Sequence, residues 1–249
     1  MKSNTLDFYR ISRFRFQINF VLYLALALVL GTVPIYAEVL NVPDDYGTIQ
    51  EAIDAASDGD SVLVAAGEYV ENINFNGRNI SVIGDTDCPG NVVIDGNEDG
   101  SVVTFENGET ADAILEGFTI QNGSGQYFGG IQENTGGGIF CLNSSPTLRN
   151  LLIAGNNVLR SRAYSVGGGI SMFASNSLLM NIEIVGNTAG LGGGMLIGWG
   201  GTPILRFVMV HNNQAIVQEY QWGSSGSGGG LVCSADATFE HCVIYENTA

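Results

Sequence analysis

Basic residues are the scarcest feature of this 249-residue chain. Lys2 is the only lysine, and nine Lys and Arg stand against 25 Asp and Glu, for a formal net charge of −16. Beyond residue 37 there are five Arg and 24 acidic residues, a net charge of −19. Phosphate binding needs clustered Lys and Arg, so we expect no nucleic-acid partner. The acidity indicates a well-solvated secreted surface or, as a less favoured alternative, divalent-cation binding.

Cysteine is also sparse, and the four thiols are Cys88, Cys141, Cys233 and Cys242. An even number of Cys in an exported protein invites disulfides. The repeat described below instead places Cys141 and Cys233 at one internal position, about 14 Å apart, which is too far for a disulfide. Cys242 is likewise predicted to fill a core position. A Cys233–Cys242 bond across one rung stays open as the less favoured alternative.

A long apolar run occurs once, at residues 20–30. It follows three arginines and precedes a plausible cleavage site, as in a signal peptide. The residues concerned are Arg10, Arg13 and Arg15, then Pro34 and Ala37. An uncleaved anchor is the alternative, but the run is short for a membrane span of about 20 residues. Residues 1–37 are therefore predicted to be a signal peptide, and the protein to be secreted or held at the cell surface, including the outer membrane.

Glycine, in contrast, is abundant, with 35 residues. A Gly triplet returns four times, and an asparagine follows 19 or 20 residues after the first Gly of each. The triplets are 136–138, 167–169, 192–194 and 228–230, and the asparagines are Asn156, Asn187, Asn212 and Asn247. A near-constant spacing between variable insertions is the mark of a repeat architecture. We interpret the triplets as structural corners of successive rungs.

Apolar residues recur at two-residue spacing after each triplet, which predicts strands rather than helices. Aligning the repeats gives four inward columns: Ile139/Ile170/Met195/Leu231, Leu148/Leu179/Ile204/Phe239, Leu151/Ile182/Phe207/Cys242 and Ile153/Ile184/Met209/Ile244. A rung of short strands cannot bury its own apolar side, so the rungs must stack in parallel register. The alignment puts His241 outward with Asn150, Asn181 and Arg206. It also predicts that Glu116, Glu183 and Glu240 occupy different columns.

The N-terminal part of the mature chain, residues 38–60, is predicted to be a cap. Thr48 with Glu51 three residues later forms a capping box, and Ile49, Ala52 and Ile53 share one helical face. A helix here would cover the open end of the first rung. Residues 61–122 are predicted to form irregular rungs, and residues 123–249 regular ones. Because the chain ends where another triplet is due, we expect further rungs or a C-terminal domain in the complete protein.

These rungs resemble the right-handed parallel β-helix repeats of the pectin-lyase-like superfamily. They are also similar to the glycine-glycine-apolar repeat of polymorphic outer-membrane proteins. The opening Val-Pro-Asp-Asp-Tyr at 42–46, with segments 48–53 and 67–71, is similar to the start of exported bacterial β-helix proteins and, more distantly, of pectinesterases. The resemblance covers residue 39 to the end. It implies an all-β, right-handed parallel β-helix with a short N-terminal capping helix, but one fold hosts many activities.

Catalytic motifs of enzymes with this fold are missing from the sequence. The chain has no Arg-x-Pro-x-x-Arg of lyases, no Gly-His-Gly of galacturonases and no Gln-Asp-Thr of pectinesterases. We therefore assign no catalytic residue. The predicted function is a non-catalytic polysaccharide-binding or adhesive module acting outside the cell. The alternative is a polysaccharide lyase or glycoside hydrolase of the pectate-lyase-like class.

Insertions at 123–135, 157–166, 188–191 and 213–227 all map to one corner of the rungs. In repeat proteins such a corner is often the binding face. Aromatic rings stack on apolar sugar faces while polar groups fix the hydroxyls, so we predict a glycan-binding site. Its candidates are Arg160, Arg162, Tyr164, Tyr220 and Trp222, together with Trp199 near a different corner. The alternative is that these side chains pack the loops against the solenoid.

Residues 95–106 match the calcium-loop pattern D-x-N-x-D-G-x5-E. The strand pattern of 101–105 carries Glu106 away from the turn, and no flanking helices are predicted, so we expect no EF-hand. Calcium held by Asp95, Asn97 and Asp99 alone is the one cofactor that the sequence suggests. The favoured alternative is an acidic β-turn.

Overall fold

The computed structural model describes residues 37–128, 133–159, 164–220 and 223–249. The chain divides into two compact units, residues 1–37 and 38–249, and every element given below belongs to the second unit. Except for Ala37, the predicted signal peptide lies outside the described residues and stays a prediction.

The unit is built of short strands with one α-helix and one 3₁₀ helix among the described residues. Its first part contains β1 (Val39–Val42), α1 (Ile49–Ala55), β2 (Ser61–Val64), β3 (Gly67–Val70), β4 (Ile73–Asn74), β5 (Ser81–Ile83), η1 (Pro89–Asn91), β6 (Val92–Asp95), β7 (Val103–Phe105) and β8 (Ile114–Gln121). Neither helix is long and apolar enough to span a membrane, and the described residues contain no other.

The second part contains β9 (Gln126–Phe128), β10 (Glu133–Thr135), β11 (Ile139–Leu142), β12 (Thr147–Ala154), β13 (Tyr164–Val166), β14 (Ile170–Phe173), β15 (Leu178–Val185), β16 (Thr188–Ala189), β17 (Met195–Ile197), β18 (Ile204–His211), β19 (Gln214–Ala215), β20 (Gln218–Tyr220), β21 (Gly223–Ser225), β22 (Leu231–Cys233), β23 (Thr238–Glu240) and β24 (Val243–Tyr245).

Two parallel sheets contain most of these strands. The long-strand sheet has the order β1-β2-β5-β8-β12-β15-β18-β23, with β6 also beside β8, β3 beside β6, and β24 beside β18. The short-strand sheet has the order β4-β7-β11-β14-β17-β22. Neighbouring strands come from successive repeats and pair in parallel, so each rung adds one layer to both sheets. The unit is a right-handed parallel β-helix, and the predicted fold class is confirmed.

The core lies between the two sheets. The predicted column of Ile139, Ile170, Met195 and Leu231 is confirmed by the strand register. The columns predicted for the long strands are wrong in β18, where the inward residues are Leu205, Val208 and Val210 instead of Ile204, Phe207 and Met209. Phe207 and Met209 are 57% and 38% exposed. The cause is the turn from β17 to β18, which is one residue longer than its two predecessors.

The same extra residue shifts the asparagine of the third repeat. The asparagine ladder runs through the buried Asn156, Asn187 and Asn213 to the partly buried Asn247, so the predicted Asn212 is wrong. In each step the side-chain oxygen of one asparagine accepts from the backbone N–H and the side-chain amide of the asparagine before it. The ladder thereby satisfies buried polar groups that would otherwise be costly.

The glycine triplets form the corner that leads into the short-strand sheet, as predicted. Successive triplets hydrogen-bond through their backbones. A Cβ on Gly168 would overlap the carbonyl oxygen of Gly193 on the next rung. The first glycine of each triplet has a φ near +60°, which L side chains rarely adopt.

Each long strand bends at one residue with left-handed backbone conformation, and the strand pairing skips that residue. This bend column consists of Gly117, Asn150, Asn181, Phe207 and His241. Arg206 was wrongly predicted to share the column of His241, because of the one-residue shift.

The column beside the bend contains Glu116, Arg149, Met180, Arg206 and Glu240. Glu116 and Glu240 therefore share a column, contrary to the prediction. Glu183 lies in a different column, beside Leu152 and Met209.

The helix α1 covers the first rung as predicted. Thr48 is its N-cap and accepts from the backbone N–H of Glu51. The Glu71 carboxylate also accepts from the first two N–H groups of the helix, at 3.0 Å each, where a negative charge is favourable. Ile49, Ala52 and Ile53 are fully buried.

The insertions stack at one corner. Strand β13 pairs with β10, β16 pairs with β19, and β9/β10 and β20/β21 form antiparallel hairpins. Val166 packs with Phe140, Phe173 and Leu196 in a second, smaller hydrophobic cluster. The corner therefore covers part of the outer face of the short-strand sheet.

All four cysteines are free. Cys141 and Cys233 occupy one column, as predicted, through Met172 and Ile197. The predicted internal position is wrong for Cys233, which is exposed. Cys141 is fully buried, and burial raises the pKa of its thiol. The alternative Cys233–Cys242 disulfide is not formed.

Candidate functional site

A groove of about 260 Å³ lies on the outer face of the long-strand sheet, where β12, β15 and β18 bend. We call it the bend groove. Three bend-column residues line it: Asn150, Asn181 and Phe207. The strand halves that follow the bends contribute Leu151, Leu152, Ile182, Glu183 and Met209, and one loop contributes Pro89 and Gly90. The groove therefore crosses three successive rungs.

One end of the groove is closed by the loop of residues 85–91. The carbonyl oxygen of Pro89 accepts from the Thr119 hydroxyl of β8 at 3.2 Å, which places the loop over that rung. Within the loop, the Asp85 carboxylate accepts from the backbone N–H groups of Asp87 and Cys88 and from the Asn91 amide. The hydrogen bond from Asn91 is the main cause that lowers the pKa of Asp85. The loop is therefore fixed by its own hydrogen bonds, and it carries an ionised carboxylate.

The two amides in the groove are oriented by a chain of hydrogen bonds. Glu116 accepts from the Arg149 guanidinium and, at 2.7 Å, from the Asn150 amide. The Asn150 side-chain oxygen in turn accepts from the Asn181 amide at 2.7 Å. Asn181 is exposed, so an oriented amide stands next to Phe207 at the groove surface.

Phe207 is the aromatic residue of the groove lining, and its side chain is exposed. Its ring lies edge-on to the His241 ring, with 5.1 Å between the centroids. Its φ is +55°, a conformation that a bulky residue adopts only at a cost of about 1–2 kcal/mol. The same left-handed conformation recurs at Asn150, Asn181 and His241, so the bend of the strand imposes it, and the bulky ring adds strain that an asparagine would not.

At the far side of the groove, Glu183 is paired with His211. The His211 Nε2 and Glu183 Oε1 atoms are 2.9 Å apart. The Asn212 amide donates to the other ring nitrogen, so the proton on Nε2 points at the carboxylate. The His211 ring also stacks on Tyr245 at 4.8 Å. This pair can hold a proton at the groove, which is the chemistry of a general acid or base.

The two guanidinium groups next to the groove form ion pairs with glutamates of the protein. Arg149 pairs with Glu116, and Arg206 pairs with Glu240 at 2.7 Å. The hydrogen bond with Glu240 raises the pKa of Arg206 and lowers that of Glu240. Both guanidinium groups are thereby neutralised locally.

The predicted loop-corner site is only partly placed. Arg160, Arg162 and Trp222 lie outside the described residues, and Tyr164 and Tyr220 are placed as backbone positions in β13 and β20. Trp199 lies in the turn from β17 to β18, at the opposite end of the short-strand sheet from the loops. It is 54% exposed, and its ring centroid lies 5.9 Å from that of Phe173. Trp199 is therefore a separate aromatic platform, and the loop-corner site stays a prediction.

The predicted calcium site is a hydrogen-bonded turn. Asp95 accepts from the Asn97 backbone N–H, the Gln121 amide and the Asn122 amide. Burial raises the pKa of Asp95, but these hydrogen bonds outweigh it and hold that pKa below its usual value. Among the described residues, no three His, Cys, Asp or Glu side chains form a group that could hold a metal ion. Calcium binding by Asp95, Asn97 and Asp99 stays a prediction.

The bend groove was not predicted from the sequence. Asn150 and Asn181 recur at equivalent positions, and that repetition of a residue suited to left-handed backbone was the available signal. Phe207, Met209 and Glu183 gave no usable signal, because the shifted alignment placed the first two inside the core.

No protein-family model matches the chain, and no curated protein matches it in sequence. Its structure is similar to the deglycosylated pectin methylesterase from Aspergillus niger, with 14% identity, a TM-score of 0.40, and coverage of 88% of this chain and 87% of that one. It is also similar to a pectin methylesterase in complex with a hexasaccharide, with 11% identity, a TM-score of 0.42, and coverage of 86% of this chain and 82% of that one. For pectin methylesterase PemA from Erwinia chrysanthemi the identity is 12%, the TM-score is 0.39, and the match covers 86% of this chain and 82% of that one. At this level the similarity says nothing about activity, and the fold assignment rests on the strand register.

Proposed function

We propose that the protein is an exported polysaccharide-binding module and that the bend groove is its binding surface. The observation that carries the proposal is Phe207, an exposed ring held in a strained backbone conformation beside the oriented amides of Asn150 and Asn181. Rings stack on the apolar faces of sugars, and fixed amides select hydroxyl groups. The two features together suit a sugar better than a purely apolar ligand.

The periodicity of the groove favours an extended polymer. Bend-column residues of neighbouring rungs lie about 4.8 Å apart along the solenoid axis, a distance on the scale of one sugar unit. A glycan chain lying along the axis would meet one bend residue per rung. The loop of residues 85–91 sets one end of this track, and His241 continues it beyond Phe207.

Glycan-array binding of the purified chain, followed by titration of the hits, tests this proposal. The informative variant is Phe207→Asn, because Asn already occupies the bend positions of β12 and β15 and adopts the same φ. Loss of the stacked ring should weaken binding about two- to tenfold. Val70→Ala, at an exposed position of β3 away from the groove, is the control and should bind like the wild type. Binding that Phe207→Asn leaves unchanged would contradict the groove assignment.

The loop-corner residues are proposed as a second contact region for the same glycan. Variants Trp222→Ala and Tyr220→Ala test it separately, and Trp199→Ala tests the platform on Phe173. If only these variants weaken binding, the glycan site lies at the corner or the platform and the groove proposal is wrong.

An enzymatic function is the second candidate, and the Glu183–His211 pair is the observation that favours it. Proton transfer by such a pair typically contributes about 10²–10⁴-fold to a rate. Assays for new reducing ends and for unsaturated products on neutral and acidic polysaccharides would detect it. Activity that Glu183→Gln abolishes would establish the enzyme, and would replace the binding-only proposal.

Export is proposed from the sequence of residues 1–37. Mass spectrometry of the protein secreted by a host cell gives the mature N-terminus. We expect cleavage after Ala37, and recovery of the uncleaved chain in the cytosol would contradict export.

A further inference from the structure

We propose that the bend groove selects glycans without carboxylate groups over polyuronates, and that Glu183 is the residue that determines this selectivity. The inference rests on the glycan-binding function proposed above and specifies its ligand class. It follows from the balance of charge around the groove.

Glu183 is a groove residue with an uncompensated charge. Its side chain is 45% exposed, and it lines the groove between Asn181 and Met209. Its described partner is His211, whose Nε2 lies 2.9 Å from one carboxylate oxygen, while the Asn212 amide contacts the other ring nitrogen. The pair therefore keeps the negative charge of the carboxylate at the groove surface.

Among the described residues, the arginines that could bind a uronate carboxylate are already paired or hydrogen-bonded to other groups of the protein. Arg149 and Arg206 flank the bend column, and each is held by a glutamate of its own column. In the described ranges the remaining arginine is Arg78, which donates to backbone carbonyls of Asp54 and Ala56 at the capping helix. The loop of residues 85–91, which lines the groove with Pro89 and Gly90, also carries the carboxylates of Asp85 and Asp87. The hydrogen bond from Asn91 lowers the pKa of Asp85.

A polyuronate brings one carboxylate per sugar, so an extended chain in the groove cannot keep all its carboxylates away from Glu183. Two like charges at about 4 Å repel by about 1 kcal/mol even in water, and by more where water is excluded. Like-charge juxtaposition is a common source of selectivity against wrong ligands. We therefore expect at least about fivefold weaker binding of a uronate than of a neutral oligosaccharide of equal length.

The experiment is a glycan array with neutral, amino-sugar and uronic-acid oligosaccharides of equal length, probed with wild type, Phe207→Asn and Glu183→Gln. Groove ligands are those that Phe207→Asn weakens. For the wild type they should be neutral or amino sugars, and high salt should reduce the discrimination against uronates. In Glu183→Gln the affinities for uronate and neutral oligosaccharides should differ by no more than about twofold, which is a difference of under about 0.5 kcal/mol in binding free energy. Glu68→Gln, an exposed glutamate of β3, is the matched control and should keep the wild-type preference.

The outcomes separate the two proposals. If no ligand responds to Phe207→Asn, the groove is not a glycan site, and both the proposed function and this inference fail. If uronates bind in the groove as tightly as neutral glycans, the inference fails while the function stands. It also fails if Glu183→Gln leaves the preference unchanged. Should Glu183→Gln not fold, the salt dependence of the wild-type preference decides, because a salt-independent preference contradicts an electrostatic cause.

Discussion

Asn187 and Asn213 are joined by two hydrogen bonds, in which the Asn213 side-chain oxygen accepts from the backbone N–H and from the side-chain amide of Asn187, at 2.9 and 3.0 Å. The Asn213 amide then donates to the carbonyl oxygens of Ile184 and His211. One buried side chain therefore satisfies backbone groups of two adjacent rungs. Its neighbour Asn212, with φ +53°, lies at the exposed surface and contacts His211.

The register of the third repeat is tested by two neighbouring substitutions. Asn213→Ala leaves several buried polar groups unpaired and should lower the free energy of unfolding by about 3 kcal/mol. Asn212→Gly keeps the left-handed backbone and should change it by less than about 1 kcal/mol. Urea unfolding followed by circular dichroism measures both. Equal effects, or a larger effect at Asn212, would show that the ladder passes through Asn212.

Phe207→Asn should stabilise the fold while it weakens ligand binding. Asn tolerates left-handed backbone better than a bulky residue does, so we expect a gain of about 1 kcal/mol in the free energy of unfolding. The exposed ring contributes little to the core that would offset this gain. Chemical denaturation of the variant beside the wild type gives the difference. A clear loss of stability would mean that Phe207 is a structural residue, contrary to its proposed role.

Acid should destabilise the β-helix through hydrogen-bonded aspartates. The Asp60 carboxylate accepts from the N–H groups of Glu38 and Ser57, and the bond from Glu38 is the main cause that lowers its pKa. Hydrogen bonds also hold the pKa of Asp95 below its usual value, against the effect of burial.

A folded-state pKa below the unfolded value of about 3.9 gives stability that is present above pH 4 and is lost as the pH falls through the folded pKa. We expect the urea midpoint to fall between about pH 5 and pH 3. Asp60→Asn should lower the midpoint at neutral pH and flatten its acid dependence. A midpoint that is unchanged in this interval would contradict the assignment.

We expect no calcium binding at the turn of Asp95, Asn97 and Asp99. Three donors already occupy the Asp95 carboxylate, and a cation would have to displace them. We therefore expect no rise in melting temperature with added CaCl₂ and no calorimetric heat from this site. A calcium-dependent rise that Asp99→Ala removes would establish the site that the sequence predicted.

The fold could be predicted because its determinants are local and repeated. The glycine triplets, the two-residue apolar spacing and the capping Thr48 each report on their own rung, so the sheets and the helix followed from the sequence. The inward column of the short-strand sheet was correct in all four repeats. Those strands begin directly after the triplets, which fix the alignment.

The site could not be predicted because it depends on the register between rungs. The extra residue in the turn around Trp199 shifts the register of β18, so Phe207 lies at the surface and not in the core. The spacing of residues in the sequence does not show whether an extra residue belongs to a turn or to the strand that follows it. The ion pairs of Arg149 and Arg206 depend on the same register. Pairing of residues 26 to 34 positions apart decides both.

The left-handed bend gives the outer surface a repeat unit that is independent of the core. A bend residue does not enter the interior, so the side chains at Asn150, Asn181, Phe207 and His241 can differ from rung to rung without a packing cost. The number of bend residues that a bound oligosaccharide contacts therefore depends on its length. Each added sugar contacts one further side chain until the oligosaccharide extends from the 85–91 loop to His241. Affinity should therefore grow stepwise with chain length and then become constant, a behaviour that a single closed pocket would not show.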